Sequence, residues 1–138
     1  MNFAWPCHEC IESLNQITVE WEHVYVKHSY RTDVDDVSLF RPNISLRRVF
    51  NTFVADLQDG YLREEIDSRH RPIRLVYHVP FNSTVGTFPD PSRRRRGGRI
   101  IHYETCFVKV VCDSSRCLHC GRHLPRVVVT MFPHEDRN

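Results

Sequence analysis

Two CxxC pairs stand at opposite ends of a 138-residue chain, Cys7-His8-Glu9-Cys10 and Cys117-Leu118-His119-Cys120. At this spacing two thiolates of one tight turn reach the same tetrahedral Zn²⁺. The second pair runs on into Gly121, which is free to take the backbone conformations that such a turn asks for. If both turns share one ion, the fold must bring the two ends of the sequence side by side. No other feature of the sequence narrows the topology as much.

Six cysteines could instead make three disulfides, and the compartment decides between the readings. The segment MNFAWPCHECIESLN has neither the basic start nor the apolar centre of a signal peptide. No stretch nears the roughly 20 apolar residues of a membrane span. The expectation is a protein of the cell interior, cytoplasmic with a nuclear option, off the membrane, with thiols reduced and open to metal. A thioredoxin-like redox pair is the competing reading of one CxxC. Two pairs without a βαβ setting argue against it.

Length and a hydrophobic content of 41% suit a single domain, residues 1–138, with a modest core. Residues 16–30 (QITVEWEHVYVKHSY) alternate as a strand does, with Ile17, Val19 and Trp21 on one face. The phase then shifts to Val24 and Val26, which predicts a bulge near His23. The acidic segment 31–43 reads as a loop. Leu46, Val49, Phe50, Phe53, Val54 and Leu57 recur at helical spacing. They predict a helix over 44–58, capped by Asn43 or Ser45 and stopped at Gly60. Its apolar stripe fits a sheet or, in the other reading, a homodimer face. Strands are predicted over 73–79, 99–112 and 126–132, with 81–98 as a long exposed connection in a hairpin. The fold class expected is α+β: a mainly antiparallel sheet with one packed helix, closed by a structural zinc site.

The ligand set has three readings. A long-range Cys₄ site joins Cys7, Cys10, Cys117 and Cys120, as two knuckles of a zinc ribbon do. A local site would use Cys112, Cys117, Cys120 and His123, and a mixed site would let His123 replace one thiol. Cys106 and Cys112 stand about 20 Å apart along a continuous strand, so they cannot share an ion. Cys106 reads as a small packed hydrophobe. A catalytic zinc keeps an open position, usually among His or carboxylate ligands. The sequence also holds no HExxH, GxSxG, Walker-type or GxGxxG motif. The expectation is a structural metal in a protein that is not an enzyme.

All but two of the 19 basic residues are arginine, and Arg93, Arg94, Arg95, Arg96 and Arg99 crowd one short stretch. The net charge of +2 therefore leaves the rest of the chain acidic. Consecutive guanidiniums cannot bury their charge, so an exposed loop at about 89–98 must face solvent or a polyanion. The planar arginine fork matches phosphate. A nucleic-acid backbone is the expected partner, with Tyr77, Phe88 and Tyr103 as stacking candidates. A nuclear-import signal, a docking segment and a plain solvated loop are the other readings.

Taken together, Cys7, Cys10, Cys117 and Cys120 with Arg93, Arg94, Arg95 and Arg96 resemble accessory proteins of plant RNA viruses. Among these the pattern is similar to the sobemovirus class of zinc-binding RNA-silencing suppressors. The resemblance implies a viral protein that suppresses host RNA silencing and supports viral spread. It would act by binding RNA or by docking on a host silencing factor. The residues also allow a different class: a zinc-held transcription, chromatin or protein–protein adaptor without RNA binding. An RNA binder loses affinity with salt and with its arginines, and an adaptor responds to neither.

Overall fold

The computed structural model describes residues 7–28, 38–94 and 100–135. Helix α1 (His8–Ser13) leads through a turn of 3-10 helix to strand β1 (Thr18–Val19) and helix α2 (Trp21–His28). Strand β2 (Leu39–Phe40) precedes helix α3 (Leu46–Gln58) and strand β3 (Glu64–Asp67). Five strands complete the chain: β4 (Arg74–Pro80), β5 (Gly86–Arg94), β6 (Ile100–Thr105), β7 (Phe107–Arg116) and β8 (His123–His134). Among the described residues no helix is long and apolar enough to cross a membrane.

The strands form two sheets, a five-stranded one in the order β1-β8-β7-β4-β3 and a three-stranded one in the order β2-β5-β6. All pairings are antiparallel except β1 with β8. The frame is one long ribbon, bent in the middle. Its inner half pairs β4 with β7 and its outer half pairs β5 with β6. The bend is bonded across: Phe81 N–H donates to the Cys106 carbonyl at 2.8 Å and Val85 N–H to that of Thr105 at 2.9 Å. Buried Thr105 then donates its hydroxyl to the His134 carbonyl at 2.6 Å, which fixes the corner to β8. Gly86 sits where β2, β5 and β8 meet. A Cβ there would lie 2.2 Å from the Leu39 carbonyl oxygen and 2.6 Å from Pro133 Cγ, so only glycine fits.

The core lies between α3 and the larger sheet. Leu46, Val49, Phe53 and Leu57 form the buried stripe of α3, as helical periodicity requires. They join a cluster with Leu75, Tyr77 and Val79 from β4, Val108 and Val110 from β7, and Val128 and Met131 from β8. Phe53 and Tyr77 meet with ring centroids 5.4 Å apart. The Tyr77 hydroxyl leaves the core to donate to Glu64 Oε2 at 2.6 Å. Of the two predicted caps Ser45 serves, its hydroxyl accepting from Arg48 N–H at 3.3 Å. Gly60, with φ of 75°, ends the helix in a left-handed turn. There Tyr61 N–H reaches the Asp56 carbonyl and Gly60 N–H that of Leu57.

The α+β class with mostly antiparallel sheet is present, but several local expectations change. Three helices are found among the described residues where one was expected. Among the described residues of 16–30 only Thr18 and Val19 form a strand, and α2 follows from Trp21. Packing outweighs β propensity there, because the helix buries Val24 fully and sets Trp21 edge-on against Phe50, 5.9 Å between centroids. Segment 81–98 is not a plain connection, since β5 occupies 86–94. Finally, 99–112 is not one strand. It breaks at Cys106, where the ribbon passes from one sheet to the other. Of the predicted loop 31–43, residues 31–37 lie outside the described residues and Leu39 and Phe40 form β2.

Candidate metal centre

The parallel pairing of β1 with β8 decides which thiols meet. Thr18 stands opposite Val127, so the chain preceding β1 lies beside the start of β8. That start is where the turn carrying Cys117 and Cys120 delivers the chain. The two CxxC pairs are thus brought together from the two ends of the sequence.

They use different backbones. Cys7 is the N-cap of α1, in extended conformation, and Cys10 lies one helical turn on. Residues three apart in a helix share a face, which points both sulfurs the same way. The first pair is therefore a helix start, not the zinc-ribbon knuckle expected. The second pair is a tight turn at the end of the β7–β8 hairpin. Cys117 N–H donates to the Arg122 carbonyl at 2.8 Å and Gly121 N–H to that of Cys117 at 2.9 Å. Gly121 takes a φ of +77° with open space around it, the conformation for which glycine carries no penalty.

The four sulfurs converge. Cys7 Sγ lies 3.2 Å from Cys10 Sγ and 3.6 Å from Cys117 Sγ, while Cys10 and Cys120 are 3.4 Å apart. All four atoms fall within 4.8 Å of one another. A disulfide needs about 2.05 Å, and every cysteine is free. A tetrahedron with Zn–S bonds of about 2.3 Å has sulfur–sulfur edges of about 3.8 Å, so the cluster is the size of a Cys₄ metal site. Cys10 is fully buried beneath it and Cys120 is exposed, which places the site at the surface with its base in the core.

The thiols are unequal. The backbone N–H groups of Cys120 and then His119 hold Cys117 down at about 6, well below its ordinary 9.0. Burial, and then the neighbouring Cys7 thiol, push Cys10 up. Outside the sulfurs, His119 Nε2 faces Glu9 Oε1 at 3.8 Å, linking the two turns, and His8 pairs with Glu12 at 2.9 Å.

Cys112 and His123 stand outside this group. Cys112 is fully buried among core residues, and burial, then Asp113, push its thiol up. His123 opens β8 opposite Arg116. Cys106, at the bend, is half-buried and equally apart. The backbone of Arg93 and Arg94 lies in β5, with Arg94 opposite Ile100. Arg95, Arg96 and Arg99 lie outside the described residues. Phe88 and Tyr103 do meet, at 5.8 Å between centroids, whereas Tyr77 is buried in the core.

Comparisons with protein-family models, curated proteins and solved structures find no significant match. The chemistry must be read from the site itself. The four cysteine sulfurs, with no carboxylate in the set, could hold a metal ion such as zinc. Sequence reading overlooked α1, although the Cys7-to-Cys10 spacing equals one helical turn.

Proposed function

We propose that the ion is Zn²⁺, that the centre is structural rather than catalytic, and that the protein is an RNA-binding accessory protein that interferes with host RNA silencing. The convergence of Cys7, Cys10, Cys117 and Cys120 carries the scaffold part of this reading. Closed thiolate sites contribute folding free energy and leave no position for substrate. The working surface is the arginine run Arg93-Arg94-Arg95-Arg96, which in sequence follows the body of β5 and precedes β6 at Ile100. Consecutive guanidiniums there suit phosphates without base preference.

The test is RNA binding across a salt series, with wild type and a variant in which Arg93, Arg94, Arg95 and Arg96 become alanine. Affinity that falls with salt in the wild type and is largely lost in the variant supports the reading. Equal binding by both forms would sink it.

One observation favours the adaptor reading instead. Leu118, at the tip of the second cysteine turn, is 99% exposed, and an apolar side chain held out by a metal-braced loop suits a protein partner. A partner captured by the wild type at high salt and lost by Leu118→Ser would decide for that reading.

A further inference from the structure

A cavity of about 480 Å³ opens between the turn that enters β4 and the β7–β8 hairpin end. Its volume lies within the roughly 300–1,000 Å³ of small-molecule sites. Arg71, Arg116 and His123 line it together with the hydroxyl-bearing Ser68 and Ser115, and Pro72 and Ile73 give it an apolar wall. No carboxylate is in the lining.

Both arginines are already held. Arg71 Nη1 donates to the carbonyls of Ser68 at 2.7 Å and His70 at 3.1 Å. Arg116 Nη1 donates to the Gly121 carbonyl at 3.3 Å. These acceptors are neutral, and neither guanidinium has a carboxylate partner among the described residues. The arginines around them differ: Arg69 pairs with Asp67, Arg74 with Asp113 and Arg122 with Glu64. The cavity therefore keeps two full positive charges on side chains whose freedom is already reduced, the condition under which a planar fork binds an oxyanion well. Ser115 is steadied in turn by Arg126, whose Nε donates to its hydroxyl oxygen at 2.5 Å.

We infer that this cavity is a phosphate-binding pocket, in which Arg71 and Arg116 clamp the oxyanion, His123 and the serines supply further hydrogen bonds, and Pro72 and Ile73 seat the adjoining sugar or base. The anion chemistry stands on the cavity alone. The choice of an RNA strand as the source of the phosphate rests on the nucleic-acid reading above. The pocket contains none of Arg93, Arg94, Arg95, Arg96 and Arg99.

The probes are inorganic phosphate, adenosine 5′-monophosphate, and a short single-stranded RNA with or without a 5′ phosphate. Calorimetry measures affinity, and the His123 imidazole signals report occupancy directly. Arg71→Gln with Arg116→Gln should weaken the monophosphate by about tenfold or more, since each hydrogen bond to a charged group is worth that order. Arg71→Lys with Arg116→Lys keeps charge and stem but loses the fork, and should weaken it several-fold with an unchanged melting temperature. The variant lacking Arg93, Arg94, Arg95 and Arg96 should bind the monophosphate as the wild type does. A preference for the 5′-phosphorylated strand that vanishes in the double variants identifies a terminal phosphate. Equal binding of both strands, weakened alike by those variants, identifies a backbone phosphate. Monophosphate binding unaltered by both double variants, or absent from the wild type, overturns the pocket. The proposed function still stands if RNA affinity is lost with the arginine run.

Discussion

Arg116 Nη1 donates to the carbonyl oxygen of Gly121 at 3.3 Å, so a cation that lines the cavity is bonded to the glycine that closes the second cysteine turn. Cavity and cysteine cluster share one hairpin end. Disturbance at the sulfurs should reach residues 116–123 before it reaches the sheet. On chelation, hydrogen exchange should accelerate first at the N–H groups of Cys117 and Gly121, which bond to Arg122 and Cys117 across the turn. Acceleration at Val110 and Val128 that leaves Cys117 and Gly121 unchanged would contradict this order.

Elemental analysis should find one zinc per chain, lost in Cys7→Ser and in Cys117→Ser but retained in Cys106→Ser. The first two variants should lose on the order of 3 kcal/mol or more of stability, as loss of a structural metal does. A full complement of zinc in Cys7→Ser would move the site to Cys112, Cys117, Cys120 and His123.

Acid should act on the metal-free protein through Cys117. Its thiol is held at about 6 against an ordinary 9.0, so folding favours the thiolate. That contribution is complete above about pH 9 and fades as pH falls through about 6. Urea denaturation of the metal-free protein should thus show stability declining over this window in the wild type, and a shallower decline in Cys117→Ala. Identical pH profiles would refute the depressed thiol. Zinc affinity should fall with acid in the same direction, because protons compete for the sulfurs.

Two glycines should respond differently to alanine. Gly86→Ala forces a Cβ to within 2.2 Å of the Leu39 carbonyl oxygen, a backbone atom that cannot swing aside, and should cost about 2 kcal/mol or more. Gly121→Ala meets open space and carries only the penalty of its positive φ, about 1 kcal/mol. Thermal melting of the two variants checks the order, and a reversed order would contradict the crowding at the sheet corner.

In the core, Phe53→Ala should cost about 3–5 kcal/mol, the usual result of emptying a fully buried aromatic site. Tyr77→Phe should cost less, about 1.5–3 kcal/mol, because it removes only the hydrogen bond to the Glu64 carboxylate. Denaturant midpoints measure both.

What the sequence disclosed follows from the range of the forces involved. Helix α3 was legible because its stripe, its Ser45 cap and its Gly60 stop all lie within one local segment. Helix α2 was not, since Ile17, Val19 and Trp21 alternate as a strand does. The deciding contacts come from α3, where Phe50 and the Arg47 guanidinium, 4.9 Å from the Trp21 ring centre, meet it. Strand β5 was hidden by Pro89 and Pro91, which argue against a sheet interior. Among the described residues β2 pairs only with Gly86 and Thr87, so neither proline faces a described partner on that edge of β5. The four cysteines could be named from spacing alone. Their convergence, like that of Arg71 with Arg116, depends on strand order, which no local pattern encodes.

Cys7 and Cys117 are 110 residues apart in sequence and 3.6 Å apart in space. An ion bound there would turn most of the backbone into a ring with two short tails. A ring tolerates a cut that a line does not. A protease that nicks one exposed connection, even after the strands have lost their pairing, would leave two fragments still joined through their sulfurs. Cut once, the polypeptide should come apart only when its metal is taken away.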